Sequence, residues 1–190
     1  MRLISFLLNN TACYGAVHGN RVLNLTPILG AQAPDLKTLI AKKMLAQAAE
    51  ALTKHTPDLM FEDLSLLPVI PNPEKIMCVG LNYHDHVKET GRDLTEKPAI
   101  FSRVNSSQVG HGQDIMRPPE SHRLDYEGEI AIIIGEGGRR ISEADAWKHI
   151  AGYSCYNDGS VRDWQNFTTQ WTAGKNFWRT GGFGPWMVTA

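Results

Sequence analysis

Two glutamates at the start of an apolar run are the residues of this 190-residue chain that most clearly suggest chemistry. Glu127 and Glu129 flank Gly128, and the run 130–134 that follows reads Ile-Ala-Ile-Ile-Ile. Such a run predicts a buried strand, and side chains two residues apart in a strand point to one face. Carboxylates that close repel each other unless a cation lies between them, so the pattern indicates half of a hard-cation site. The alternative is a solvated strand end where both glutamates meet only water.

Asp158 is a third candidate carboxylate, because it follows another apolar segment at 152–156. If residues 158–166 open a helix, then Asp158, Arg162 and Gln165 lie on one polar stripe. Asp158 would complete a three-carboxylate set, while Arg162 and Gln165 would hold an anionic, oxygen-rich ligand. Asp158 alone is also typical of a helix N-cap. An all-carboxylate set favours Mg²⁺, Mn²⁺ or Ca²⁺ over Zn²⁺.

A histidine and a glutamate form a second candidate pair. His86 and Glu89 are three residues apart in a helix predicted over 83–91, so they share a face and can hydrogen-bond. A carboxylate held against imidazole raises its basicity, which suits a general base that activates water. The alternative is a chance pair on a surface helix. Lys175, after Gly174, is a candidate cation for substrate charge, and the lack of a Walker pattern around it argues against a phosphate cradle.

Composition narrows the class of protein. A 42% hydrophobic and 21% charged chain is typical of a soluble globular protein with one sizeable domain, with or without a small appendage. A net charge of −1 with scattered basic residues argues against nucleic-acid and membrane partners. The apolar run in residues 1–10 is too short for a signal peptide with its cleavage site or for a spanning segment, so we expect neither. Cys13, Cys78 and Cys155 are widely spaced, which predicts reduced thiols packed as small core residues in a cytoplasmic protein.

The first 73 residues predict a small module followed by a linker. Pro34-Asp35 predicts the start of a helix whose apolar period continues to Leu52. Four prolines punctuate 57–73, which is typical of a linker. Turn-forming residues separate three short apolar runs that predict a meander of hairpins, at 2–8, 12–17 and 21–25.

From residue 75 onwards, predicted strands outnumber helices. Ser142 with Asp145 predicts the start of a helix that runs through Ile150. The glycine-rich segment 135–138 follows a strand but precedes no helix, so it indicates a hairpin turn rather than a nucleotide-binding loop. The predicted strands are 76–79, 99–101, 126–134 and 152–156. This order of elements predicts a β-rich α+β fold.

The ordered set of motifs resembles the fumarylacetoacetate hydrolase family over residue 75 to the last residue, and residues 1–70 resemble its small N-terminal domain. The motifs that carry the resemblance are Gly80-Leu81-Asn82-Tyr83-His84-Asp85-His86 with Glu89, Lys97-Pro98-Ala99-Ile100-Phe101, Asp125-Tyr126-Glu127-Gly128-Glu129, Ala151-Gly152-Tyr153, Asn157-Asp158, Arg162-Asp163 with Gln165, Gly174-Lys175 and Gly184-Pro185-Trp186.

The resemblance implies a mixed β-sandwich roll with a small N-terminal α/β domain, and a homodimer. Residues 1–70 would be that small domain, and 71–190 the N-terminal part of the catalytic domain, whose C-terminal third we expect to be missing. The expectation is therefore either a fragment of a longer product or a chain whose remaining strands come from another polypeptide.

The resemblance also implies roles for particular residues. Family members act on acylpyruvates and related 2-oxo acids, so it implies a metal-dependent hydrolase of carbon–carbon bonds. The alternatives are an isomerase or decarboxylase of unsaturated 2-oxo dicarboxylates, or a non-catalytic truncated metal-binding remnant. The implied metal ligands are Glu127, Glu129 and Asp158, holding Mg²⁺ or Mn²⁺; the catalytic residues are His86, Glu89 and Lys175; and the substrate-binding residues are Tyr83, Arg162 and Gln165.

Overall fold

The structure is a computed structural model that describes residues 1–83 and 97–190. The predicted pair His86 and Glu89, with nearly all of the helix predicted over 83–91, lies outside the described residues. None of the helices in the two described ranges is long and apolar enough to cross a membrane.

Strands dominate the described parts of the chain. They are β1 Arg2–Leu8, β2 Thr11–His18, β3 Arg21–Asn24, β4 Leu59–Met60, β5 Ser65–Leu66, β6 Ile76–Gly80, β7 Ala99–Arg103, β8 Gln108–Gly110, β9 Leu124–Asp125, β10 Gly128–Ile134, β11 Ile150–Asp158, β12 Ser160–Val161, β13 Gly181–Phe183 and β14 Met187–Thr189. The α-helices are α1 Thr26–Leu29, α2 Leu36–Ala41, α3 Leu45–Lys54, α4 Arg162–Gln165 and α5 Thr172–Lys175, and 3-10 turns cover Phe61–Asp63, Asn105–Ser107 and Glu143–His149.

One curled sheet connects the two ends of the chain. Its order is β4-β3-β2-β1-β14-β11-β13-β8, with β10 added to β11 and β5 added to β1. The pairing of Arg2 with Val188 carries this sheet across the predicted boundary at residue 70. The same core contains Leu3 and Tyr14 from the first strands and Phe183 and Met187 from the last. The strand-rich α+β fold predicted from the sequence is confirmed.

The N-terminal elements follow the predicted pattern with one interruption. The three hairpin strands β1 to β3 are confirmed, and Asp35 caps α2 by accepting a hydrogen bond from the Thr38 amide at 2.7 Å. The prediction of an uninterrupted helical period to Leu52 is wrong, because Lys43 has a φ of 57° and separates α2 from α3. Left-handed backbone cannot continue a right-handed helix.

The segment 57–73 is not a linker, and that prediction is wrong. Within it, β4 pairs with β3 and β5 pairs with β1. Val69 has no exposed surface and accepts a hydrogen bond from Ser5 Oγ at 2.8 Å through its carbonyl oxygen. The short apolar segments between the prolines are therefore part of the sheet and the core.

The strand predicted at 126–134 exists as β10, but its predicted burial is wrong. Ile130, Ile132 and Ile134 are 68%, 54% and 60% exposed. Among the described strands, β11 is the one that pairs with β10, so β10 has one neighbour and lies at a sheet edge. The opposite face of β10 contributes Ile133 to the core. The predicted helix after Ser142 is a 3-10 turn.

Candidate active site

The register between β10 and β11 places the three predicted carboxylates on one face of the sheet. Glu129 pairs with Tyr156, and the Asp158 amide donates to the Glu127 carbonyl oxygen at 2.8 Å. Residues directly opposite one another in an antiparallel pair point to the same side. Glu127 and Glu129 therefore share a face with Asp158.

Asp158 reaches this face from a strand and not from a helix. It is the last residue of β11, pairs with Gly181 of β13, and is 4% exposed. The helix predicted to open at Asp158 begins at Arg162, so the predicted helical stripe and the N-cap alternative are both wrong for Asp158. Arg162 and Gln165 do share one helical turn, and Arg162 donates to Gln165 Oε1 at 3.0 Å.

Lys175 joins two of the carboxylates. Its Nζ donates to Glu127 Oε2 and to Asp158 Oδ2, each at 2.6 Å. The same nitrogen lies 4.9 Å from the centroid of the Phe101 ring, and Lys175 is 1% exposed. An ammonium buried at that point neutralises two carboxylates that would otherwise repel each other.

Arg162 holds the other oxygen of Glu127. Its guanidinium donates to Glu127 Oε1 and, through Nε at 2.9 Å, to Asp125 Oδ2. Burial acts to lower the pKa of Arg162, but the Glu127 and Asp125 carboxylates outweigh it and raise that pKa. The Arg162 side chain is 24% exposed, so it lies at the solvent side of the cluster.

Arg103 is a member of this site that the sequence reasoning missed. It is 3% exposed and donates to Asp158 Oδ1 at 2.5 Å. The same guanidinium donates to the Gly159 carbonyl oxygen, to Thr180 Oγ1 and to Ser107 Oγ, at 3.1, 2.9 and 3.2 Å. Strand periodicity is the signal that could have found it, because Arg103 lies two residues after Phe101 in β7 and so faces the same side.

Cys78 borders the charged cluster from β6, where it pairs with Phe101. Burial first, and then the negative charge of Asp158, raise the pKa of the Cys78 thiol to about 12. The charges of Glu129 and Lys175 also act on this thiol, which puts Glu129 in the same electrostatic neighbourhood. All three cysteines are free, as predicted, but Cys155 is exposed and the prediction that it is a core residue is wrong.

A close contact between α4 and α5 fixes the positions of the polar side chains. A Cβ added to Gly174 would lie 2.4 Å from the Gln165 amide nitrogen and 2.5 Å from its Cα. Glycine therefore allows the two short helices to touch, which puts Lys175 next to the turn that carries Arg162 and Gln165.

The remaining predicted site residues are placed less directly. Tyr83 is 49% exposed at the edge of the first described range, so its role in substrate binding stays a prediction. In residues 1–83 and 97–190, no three His, Cys, Asp or Glu side chains are close enough to hold one metal ion. The three-carboxylate metal centre thus stays a prediction. The donor set nevertheless suits a hard divalent cation, since oxygens of Glu127 and Asp158 converge on one positively charged atom.

The comparison with protein families identifies the class. Residues 75–190 match the family described as fumarylacetoacetate (FAA) hydrolase C-terminal. Because this match covers more than half of the chain, the chain belongs to the fumarylacetoacetate hydrolase family, an enzyme family, as its motifs predicted.

Individual relatives agree with this assignment. Human mitochondrial oxaloacetate tautomerase FAHD2A is 39% identical over 147 residues, which are 76% of this chain and 47% of that protein. The chain thus spans about half the length of the curated relatives it matches. The solved structure of fumarylacetoacetate hydrolase from psychrophilic Exiguobacterium antarcticum matches all of this chain and 66% of its own, at 30% identity and a TM-score of 0.78. Maleylpyruvate hydrolase from Sphingobium sp. SYK-6, in complex with manganese(II) and pyruvate, matches all of this chain and 67% of its own, at 26% identity and a TM-score of 0.79.

Proposed function

We propose that this chain belongs to a divalent-metal-dependent enzyme that cleaves a carbon–carbon bond in an acylpyruvate-type 2-oxo acid. The observation that carries the proposal is the convergence of carboxylate oxygens of Glu127 and the buried Asp158 on Lys175, with the Arg162 guanidinium alongside. Such an arrangement combines a cation-binding carboxylate pair with a cationic group for an anionic substrate.

Each residue has a distinct task in this proposal. Glu127, Glu129 and Asp158 would hold Mg²⁺ or Mn²⁺. A cation bound there would act as a Lewis acid that polarises the 2-oxo group of the substrate. Arg162 would bind the substrate carboxylate through its guanidinium, and Gln165, which accepts a hydrogen bond from Arg162, would fix the orientation of that group.

The reaction itself is a hydrolysis. Water adds to the acyl carbonyl carbon, and the bond to the neighbouring methylene carbon breaks. The electron pair stays on that carbon as the enolate of pyruvate, which takes up a proton, so a carboxylic acid and pyruvate are released. A base must remove a proton from that water, and the predicted pair His86 and Glu89 has the chemistry for this task. The names of two relatives support the substrate class, because oxaloacetate and maleylpyruvate are both 2-oxo acids.

Tautomerisation without bond cleavage is the second candidate, and the oxaloacetate tautomerases among the curated relatives favour it. Both reactions move a proton on the carbon next to the 2-oxo group, so the same cation and the same Arg162 contact would serve either one. The two differ in product, because tautomerisation releases no pyruvate.

A substrate panel tests the proposal and separates the candidates. Acylpyruvates and oxaloacetate are assayed with Mg²⁺ or Mn²⁺ for loss of enol absorbance, and pyruvate is measured in parallel with lactate dehydrogenase. Hydrolysis consumes an acylpyruvate and yields equal pyruvate, whereas tautomerisation changes the absorbance of oxaloacetate and yields none. Pyruvate from oxaloacetate would instead indicate decarboxylation.

The site is tested by variants in the same assay. Glu127→Ala and Asp158→Ala should abolish turnover, while Glu143→Ala, at an exposed glutamate of a 3-10 turn, should leave it unchanged. Undiminished turnover in excess EDTA would contradict the metal dependence. No turnover of any member of the panel would favour the non-catalytic remnant.

A further inference from the structure

We propose that the Lys175 ammonium holds the place of the divalent cation in the metal-free protein, and that metal and ammonium exchange at the same two carboxylate oxygens. This inference rests on the metal dependence in the proposed function, and it names the side chain that must move when the cation binds.

The four oxygens of the two carboxylates are divided between cations. Lys175 takes Glu127 Oε2 and Asp158 Oδ2. Arg162 takes Glu127 Oε1, and Arg103 takes Asp158 Oδ1. Glu127 Oε2 and Asp158 Oδ2 are therefore the pair of oxygens that a metal ion can bind without competing with an arginine. A divalent cation bound to both would repel the ammonium that now contacts them, so the ammonium has to move.

The arginines are anchored more firmly than the lysine. Arg103 donates three further hydrogen bonds, to Gly159, Thr180 and Ser107. Arg162 is tied to Asp125 and Gln165 as well as to Glu127. Each guanidinium therefore loses only part of its hydrogen bonding if one carboxylate moves.

Lys175 is the mobile partner by comparison. Among the described residues, its hydrogen-bond acceptors are the two carboxylates alone. Its ammonium ends a flexible four-carbon stem and makes contacts without the fixed fork of a guanidinium. Displacement by a divalent cation would leave both carboxylates paired and turn the ammonium towards a bound anionic ligand.

The test measures Mn²⁺ affinity by isothermal titration calorimetry at one fixed pH. Lys175→Met should bind Mn²⁺ at least tenfold more tightly than the unchanged protein, because the metal no longer has to displace an ammonium. Arg103→Met is the matched control, since it deletes a positive charge that touches the same Asp158 carboxylate on its other oxygen. It should tighten Mn²⁺ binding by much less than Lys175→Met does, because the ammonium still lies between the two carboxylates.

A second readout uses thermal unfolding followed by circular dichroism. Without metal, Lys175→Met should melt below the unchanged protein, because Glu127 and Asp158 lose their shared partner. Saturating Mn²⁺ should remove this difference in melting midpoint. The variant binds the metal more tightly, and a ligand that binds more tightly raises the midpoint further. If Lys175→Met does not fold, Lys175→Gln takes its place. If the control Arg103→Met does not fold, Arg162→Met takes its place.

Two results would overturn the exchange. One is Mn²⁺ affinity in Lys175→Met that equals or falls below that of the unchanged protein. The other is equal tightening in both charge deletions, which would show a general effect of the electric field. If neither the unchanged protein nor Lys175→Met binds Mn²⁺, the proposed metal dependence fails together with the exchange.

Discussion

Removing the Arg103 guanidinium should be the most damaging single change to the stability of this site. The contact with Asp158 joins side chains that are 0% and 6% exposed. Arg103→Met leaves that carboxylate buried with one oxygen unpaired, and loss of one partner from a buried ion pair costs about 3–5 kcal/mol. For a chain of this size each kcal/mol lowers the melting midpoint by about 2–4 °C, so we expect a drop of roughly 10 °C.

Urea unfolding followed by tryptophan fluorescence measures this free energy directly. The control is Lys54→Met in the exposed pair with Glu50, whose loss should leave the urea midpoint close to that of the unchanged protein. Adding Asp158→Asn to Arg103→Met should recover at least about 1 kcal/mol, because the unpaired charge is then gone. A loss below about 1 kcal/mol for Arg103→Met, or no recovery in the double variant, would refute this account of the pair.

Two further predictions concern Asp35 and the free cysteines. Burial acts to raise the pKa of Asp35, but hydrogen bonds from Thr38 and Asn72 outweigh it and lower that pKa. The Asp35 carboxylate therefore stabilises the fold above about pH 4, and this stabilisation is lost as pH falls through the folded pKa. The urea midpoint of Asp35→Asn should consequently fall less on acidification than that of the unchanged protein. Asp35→Ala removes the helix cap and should cost about 1 kcal/mol. Iodoacetamide at pH 8 should label exposed Cys155 readily and Cys78 far more slowly, since a pKa of about 12 leaves almost no Cys78 thiolate; peptide mass spectrometry that finds equal labelling would contradict this.

The sequence predicted which charged residues lie together better than it predicted the elements that carry them. Alternation in a strand was enough to put Glu127 and Glu129 on one face. Asp158 was assigned to a helix, because a lone aspartate after an apolar run is typical of both a strand end and an N-cap. Only long-range pairing with Gly181 decides between them, and pairing partners are not encoded in local period.

Burial was the property least visible from the residues. An isoleucine-rich run predicts a covered strand, yet coverage depends on which elements pack against it, and Ile130 and Ile132 face outward. Arg103 went unnoticed for the opposite reason, because arginine is rarely buried unless paired. Its partner Asp158 lies 55 residues away in the chain, so no short motif contains both.

The absent side chain at Gly174 has a consequence for how substrate preference can diverge. With no space between α4 and α5, the groups at Arg162, Gln165 and Lys175 form one mechanical unit. A mutation that moves α4 against α5 should therefore disturb the contacts of Arg162 and Lys175 with the acidic pair. Selectivity for a new substrate should therefore evolve through loops around this unit, while the unit itself changes little.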